Sequence, residues 1–392
     1  MSDINSVYSI ETANKPLVFR IKDDSVQGGT PSDGDLTHRV EVRSLPGMQK
    51  EAIVTSNPGG TWRIVCDEGP YLNGTDLAPF PLAFFTTGLQ FCLMTQILEK
   101  AKAQGITLKS FKLELDNYYT MKGSFIKGDA IGGAKPAEAL VEIESDAGPE
   151  AIKQLVNDAT KSCPGQAVMR DILNNVFSLH VNGQVVQVEG VAQSTNMGDP
   201  DPEAANFKTF ASDGDDAYLN NIITKTKEAE KKHDVEGGVS SSLKPVQDRT
   251  LHVHGTAEWL EGSLKRTDIQ LRSPIGSWFQ LFSAEPADQE ANQAPTGLAY
   301  LSAGVGFCYM TQLSRYTHIA KLDVNSIRIV QHTRFSDGRA EPVDTHVYID
   351  ANESADTINN LVRMGEQTCF LHAAMRDTYP SEIQVKLNNQ PL

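Results

Sequence analysis

Apolar residues recur along the chain with two periods. Leu82, Phe85, Leu89, Cys92, Leu93 and Gln96 fall at helical spacing, with Pro79 and Pro81 suited to the start of a helix and Gly105 to its end. A second stripe, Ile152, Leu155, Val156, Ala159 and Cys163, lies at i, i+3, i+4, i+7 and i+11. It predicts a second helix with one apolar face that Cys163 continues. Lys112 to Asp116 and Val141 to Glu144 alternate with period two and predict strands. The same order then returns. A helix is predicted from about Thr296 to Thr317, strands at Ile327 to Ile329 and His346 to Ile349, and a final stripe at Ile358, Leu361, Val362, Gly365 and Cys369.

This recurrence is an internal duplication. Phe91-Cys92-Leu93-Met94-Thr95-Gln96 matches Phe307-Cys308-Tyr309-Met310-Thr311-Gln312 at an offset of 216 residues. That offset also relates Leu82-Ala83-Phe84 to Leu298-Ala299-Tyr300, Trp62 to Trp278 and Pro70 to Pro286. A second block, ending in Met169-Arg170-Asp171, runs from Cys163 and matches the block from Cys369 to Met375-Arg376-Asp377 at an offset of 206. The ten-residue difference is expected in the Gly/Ala/Lys/Pro stretch 127–136, as a longer hairpin loop in the first half. Two domains follow: 1–193, with a core of about 35–193, and 248–392. Residues 194–247 read as an acidic linker, partly disordered, with room for one polar helix near Asp216 to Lys232.

Charge sharpens this division. The 392 residues carry 35 Lys+Arg against 50 Asp+Glu, a net charge of −15. Ten acidic and five basic residues lie between Asp199 and Glu236, so the linker supplies a third of the imbalance. The acidic balance argues against nucleic acid as a main partner. No run of about 18 apolar residues predicts a membrane span, and the N-terminus lacks the pattern of a secretory signal. A cytoplasmic location is the expectation.

The chain has five cysteines, too few for a disulfide scaffold and without CxxC or zinc spacing, so neither metal nor cofactor is expected. Four of them, Cys92 with Cys163 and Cys308 with Cys369, are paired by the duplication. Free cysteine is ordinarily a buried core residue. Two per half, kept in register on helices able to pack together, point beyond that to thiol chemistry. Cys66, opposite Phe282 by the offset, reads as a small buried apolar residue. His372 follows Cys369 by three residues on the same helix face and is a weak candidate partner for a thiolate or metal; His252 and His254 read as ordinary strand residues.

Two helix-borne cysteines about 60–70 residues apart, with strands around both, resemble the OsmC/Ohr family, the osmotically inducible protein C and organic hydroperoxide resistance proteins. Ala257 to Arg266 looks like that family's first strand and hairpin, leading to a functional arginine. Cys163-Pro164 looks like its second-cysteine motif, and Gly74-Thr75 with Pro81 like its approach to the first helix. The resemblance covers most of 35–193 and 248–392. It implies an α+β fold of two units, each an antiparallel sheet wrapped on two long central helices, joined as a single-chain pseudo-dimer that is monomeric or associates further. It also implies a thiol peroxidase reducing organic hydroperoxides. The first cysteine (Cys92, Cys308) would attack as thiolate, the second (Cys163, Cys369) would condense with its sulfenic acid, and a dithiol would reduce the disulfide. Arg266, and Lys50 at the matching offset, would be the supporting cations. The family glutamate, ten residues before the first cysteine, is replaced by Leu82 and Leu298. Its loss leaves open a non-peroxidase binding module for an apolar small molecule or partner, or activity in the second half alone.

Overall fold

The computed structural model describes residues 8–13, 15–22, 25–28, 36–196, 199–210, 212, 221–230, 247–286 and 293–392. The first half contributes β1 (Val18–Arg20), β2 (Leu36–Ser44), β3 (Lys50–Asn57), β4 (Gly60–Cys66), helix α1 (Pro81–Ala103), β5 (Leu108–Gly123), β6 (Ile131–Ala134) and β7 (Glu138–Ser145). Helices α2 (Pro149–Ser162) and α3 (Pro164–Arg170) and strands β8 (Val176–Val181) and β9 (Gln184–Val186) complete it. After β10 (Ile223–Lys227), the second half runs β11 (Gln247–Glu261), β12 (Leu264–Ser273), β13 (Ile275–Ser283), α4 (Gly297–Ala320), β14 (Val324–Ser336), β15 (Arg339–Ala340) and β16 (Asp344–Ala351). It ends with α5 (Ala355–Thr368), α6 (Phe370–Arg376), β17 (Glu382–Leu387) and β18 (Gln390–Pro391).

These strands form two sheets, and each sheet takes strands from both halves. The first has the order β1-β4-β3-β2-β14-β16-β8-β9, the second β10-β13-β12-β11-β5-β7-β17-β18. The seams are long antiparallel pairings, β2 with β14 and β11 with β5. Helix α4 packs on β2, β3 and β14, helix α1 on β11, β5 and β12, and the two helices pack on each other. Both are therefore buried on nearly every face, which is why neither shows a narrow amphipathic stripe. Their close approach uses glycines from both. A Cβ on Gly88 would sit 2.6 Å from the Leu301 backbone nitrogen, and one on Gly304 2.7 Å from that of Phe85. Helix α1 is long and apolar enough to cross a bilayer by length and composition, although no such run was expected; 83% of its most apolar window is buried inside the protein.

Two expected alignments shift in the hairpins. Lys50 pairs with Cys66, whereas Lys265 pairs with Ser283. The second hairpin thus holds two more residues between its matched positions, with a register shift between Gln270 and Arg272. Lys50 corresponds in space to Lys265, not Arg266, and Cys66 to Ser283, not Phe282. Trp62 is buried and corresponds to Phe279, while Trp278 stands half-buried on the opposite face.

The linker also differs from expectation. Ile223–Lys227, inside the region expected to hold a polar helix, is an edge strand paired with β13. Its β-branched Ile223, Thr224 and Thr226 suit a strand. The remainder of that expected helix, at 216–220 and 231–232, lies outside the described residues. The start of the linker is ordered against the outer face of the first sheet. Asp201 pairs with Arg328 at 2.6 Å and Glu203 with Arg43 at 2.9 Å, so linker acidity neutralises sheet arginines.

The second cysteine of each half does not continue its helix. Cys163 and Cys369 are extended (ψ 113° and 120°) and separate α2 from α3 and α5 from α6. Pro164 disfavours a helical residue before it, but Phe370 exerts no such constraint. Both breaks are clasped by a hairpin arm of the opposite half. Gly338 N–H donates to Ser162 O and Arg170 to Gly338 O. In the same way Gln367 donates to Ala130 O and Arg376 to Gly132 O. The Gly/Ala/Lys/Pro stretch forms this second arm.

Candidate functional site: two thiol pairs

Each long helix carries its cysteine at mid-length, facing the break that holds the second one. Cys92 Sγ lies 3.2 Å from Cys163 Sγ and accepts a hydrogen bond from the Gly165 N–H at 3.3 Å. Gly165 keeps this approach uncrowded, because a Cβ would stand 3.0 Å from Cys92 Cβ. Cys308 and Cys369 are likewise hydrogen-bonded. All four are free thiols and buried. The backbone that leads into each short helix places N–H groups near sulfur, an arrangement that favours a thiolate.

The polar groups behind the thiols repeat as well. At Cys92, Lys265 Nζ reaches Thr95 Oγ1 at 3.0 Å and Glu285 Oε1 at 3.3 Å, and Thr95 donates to the same Glu285 oxygen at 2.8 Å. At Cys308, Thr311 donates to Glu68 Oε1 at 2.7 Å and Lys50 Nζ lies 3.7 Å from that oxygen. Lysine, glutamate and the threonine three residues after the helical cysteine thus form one unit, made twice. In each unit the lysine and glutamate come from one half and the threonine from the other.

Beyond this unit the sites diverge. Glu68 also accepts from Tyr71 at 3.0 Å. Arg249 on β11 is close enough that Tyr71 and Glu68 oppose the lowering that burial imposes on it. Arg315 takes the helix position held in the first half by Glu99. Burial, aided by Arg249, pulls its guanidinium down to about 9, still above neutrality, so it keeps its charge. It donates to Gln312 Oε1 at 2.9 Å and stands over the Phe125 ring at 4.8 Å. The Cys308 surroundings therefore hold Lys50, Arg249 and Arg315 against Glu68. The Cys92 surroundings hold Lys265 and Lys100 against Glu99 and Glu285, and burial followed by Glu285 raises Glu99.

The hydrogen bond with Cys163, then burial, pushes Cys92 well above its ordinary value, and Glu285 adds to the rise. In the other pair burial, then Cys308, likewise pushes Cys369 up. Cys66 is a buried core thiol as expected, and also lies within electrostatic reach of Lys50 and Cys308. A cavity of about 20 Å³ touches Cys308, Glu68, Tyr71, Arg249, Leu82 and Phe370, enough for about one water. Leu82, at the family glutamate position, lines the same cavity into which Glu68 projects.

Of the site residues expected from sequence, the two cysteine pairs come together and Lys50 stands behind one of them. Arg266 does not join the other. It points to the opposite face of β12, half-exposed, in an ion pair with Glu258, because the strand alternates and Lys265 faces inward. His372 is fully buried beside Tyr309, and burial followed by Arg376 pushes its imidazole down to about 3, so it is no cation for the thiolate. Sequence reasoning missed Glu68, Arg249, Arg315, Lys265 and Glu285. The one available signal was the Thr-Gln pair that follows each helical cysteine: Thr95 and Thr311 bond the glutamates, and Gln312 accepts from Arg315.

The family model described as "OsmC-like protein" matches this chain twice, at residues 74–174 and 290–384. Among solved structures, the chain is similar to the crystal structure of an OsmC-like hydroperoxide resistance protein from Jannaschia sp. CCS1. The identity is 24%, over 39% of this chain and 97% of that one, with a TM-score of 0.25. No curated protein matches.

Proposed function

The chain belongs to the OsmC-like protein family, and on that premise we propose that it reduces organic hydroperoxides through Cys308 and Cys369. The observation that carries this reading is the charge around Cys308: three cations (Lys50, Arg249, Arg315) and one carboxylate, against two of each at Cys92. A thiolate is the nucleophile, and nearby cations favour it.

In the proposed cycle Cys308 thiolate attacks the terminal peroxide oxygen. The O–O bond breaks, the alcohol leaves with a proton, and Cys308 becomes a sulfenic acid. Cys369 thiol then attacks that sulfur, water leaves, and a disulfide forms. A dithiol returns both thiols by exchange. Glu68 and Arg249 supply a carboxylate and a guanidinium beside Cys308, where the position of the family glutamate holds Leu298 and that of the arginine holds Lys50. A cavity of about 20 Å³ admits the peroxide head alone, so an alkyl substituent requires movement at Leu82 or Phe370. The Cys92 pair serves as a structural counterpart with slower chemistry. Residues 1–193 and 248–392 act as the two units of a single-chain pseudo-dimer wrapped on its central helices, joined by 194–247, in the cytoplasm.

The test is single-turnover reaction of the reduced protein with one equivalent of an alkyl hydroperoxide, followed by disulfide mapping by mass spectrometry. A Cys308–Cys369 bond formed at the rate of peroxide loss supports the proposal. Peroxide left unconsumed, or consumed with only a Cys92–Cys163 bond, overturns it.

A further inference from the structure

Away from the thiols, the outer face of the first sheet gathers a second set of reactive side chains. His332 on β14 and His346 on β16 stand diagonally across the pairing in which His332 faces Asp344 and Val330 faces His346. Asp199, from the start of the linker, lies over them. Its Oδ2 is 2.7 Å from His332 Nε2 and 3.0 Å from His346 Nε2. One donor atom from each of the three side chains lies within 4.8 Å of the others. Tyr348 hydroxyl donates to the Asp199 carbonyl at 2.7 Å and fixes that backbone in place.

The details match what a metal ligand needs. His346 is fully buried, and its Nδ1 is 2.6 Å from Ser178 Oγ on β8. The Ser178 hydroxyl holds the ring in place and can accept from an Nδ1–H, the tautomer that frees the Nε2 lone pair for a metal. That Nε2 is buried and makes no well-aligned hydrogen bond, although Asp199 Oδ2 stands 3.0 Å away, an arrangement that a shared ion would satisfy. Asp344 offers a fourth donor, with Oδ2 3.6 Å from His346 Nε2 and a buried Oδ1 that is also without a partner. A cavity of about 310 Å³, lined in part by His38, Asn196, His332 and Asp344, opens beside the cluster and leaves room for a water ligand.

Two imidazoles with one or two carboxylates select divalent first-row transition ions over Mg²⁺ or Ca²⁺, which prefer all-oxygen shells. Bonds of about 2.0–2.2 Å in a tetrahedral shell separate ligand atoms by roughly 3.3 Å, so the observed spacings need to open by only a few tenths of an ångström. We propose that Asp199, His332 and His346, with Asp344 as fourth donor, bind a divalent transition-metal ion of the Zn²⁺ class, which fastens the linker to the first sheet. This revises the expectation from sequence that no metal is bound.

Cobalt separates this site from the thiols, because only thiolate ligation gives an intense sulfur-to-cobalt charge-transfer band. The full chain, reduced and freed of metal, is loaded with Co²⁺ and passed through a desalting column. The proposal expects about one equivalent retained, a spectrum without that band, and competition by Zn²⁺. His332→Ala and Asp199→Asn, whose side chains are partly exposed, should each weaken binding by about tenfold or more while metal-free circular dichroism stays unchanged. His332→Gln provides a second check should His332→Ala fail to fold. No retained ion, a thiolate band, or equal binding by the folded variants overturns the proposal.

Discussion

Cys92 and Cys308 sit on equivalent helices, face equivalent chain breaks and are backed by the same lysine, glutamate and threonine unit, yet their wider surroundings differ in charge, with an excess of cations only at Cys308. Glu99 stands where Arg315 stands in the other half, and Arg249 joins only the Cys308 site. Packing geometry survived the duplication, whereas electrostatics did not. The fold needs sulfur-sized residues at both places, but it tolerates either sign of charge around them. Reactivity depends on that charge.

The largest effect expected is loss of function at one site and not at the other. Cys308→Ser should abolish peroxide consumption, while Cys92→Ser should leave most of it, as read by a stopped assay of residual hydroperoxide. The opposite ranking would reverse the comparison. Next, Arg249→Met should lower the single-turnover rate about 10²-fold, the scale for removing one preorganised charge donor, with melting temperature checked alongside. Recharging the weaker site is a sharper test. Glu99→Arg should speed Cys92–Cys163 disulfide formation about tenfold, the equivalent of one pKa unit, as followed by mass spectrometry in a Cys308→Ser background.

The smallest expected effect concerns acid stability. His372 occupies the position of Gln166 in the first half, and its folded value of about 3 lies below the ordinary 6.5. Between these values the unfolded chain binds the extra proton, so the stability is whole above 6.5 and is lost as pH falls toward 3. His372→Gln should reduce the loss between pH 6.5 and about 5 by about 2 kcal/mol, seen as a smaller drop in urea midpoint than in the native protein.

Most of the fold was readable because burial leaves periodic marks. The stripes at Leu82 to Gln96 and Ile152 to Ala159 lie on helices, and matched strings located the repeat. The break at Cys163 was not read, although Pro164 announces it, because the apolar stripe continues through it. The break at Cys369 has no local mark at all; the hairpin arm from the other half holds it. Arg266 misled because a two-residue difference within a hairpin turns the neighbouring Lys265 inward, and a constant offset cannot register that. Glu68 and Glu285 lie in connections without periodicity, so only three dimensions bring them to the thiols. The linker's acidity was legible as composition. Its pairing with Arg43 and Arg328 depended on which sheet face lay bare.

The exchange of strands between halves has a genetic consequence. In an ordinary homodimer a single substitution alters both sites together, so neither can change while the other is preserved. Here one chain encodes both copies, and each site is a hybrid: Lys50 and Glu68 reach across to Cys308, Lys265 and Glu285 to Cys92. A mutation in one repeat is therefore felt at the cysteine of its sister. Specialisation of one site is free to proceed without loss of the other, but complementary changes must accumulate in both repeats.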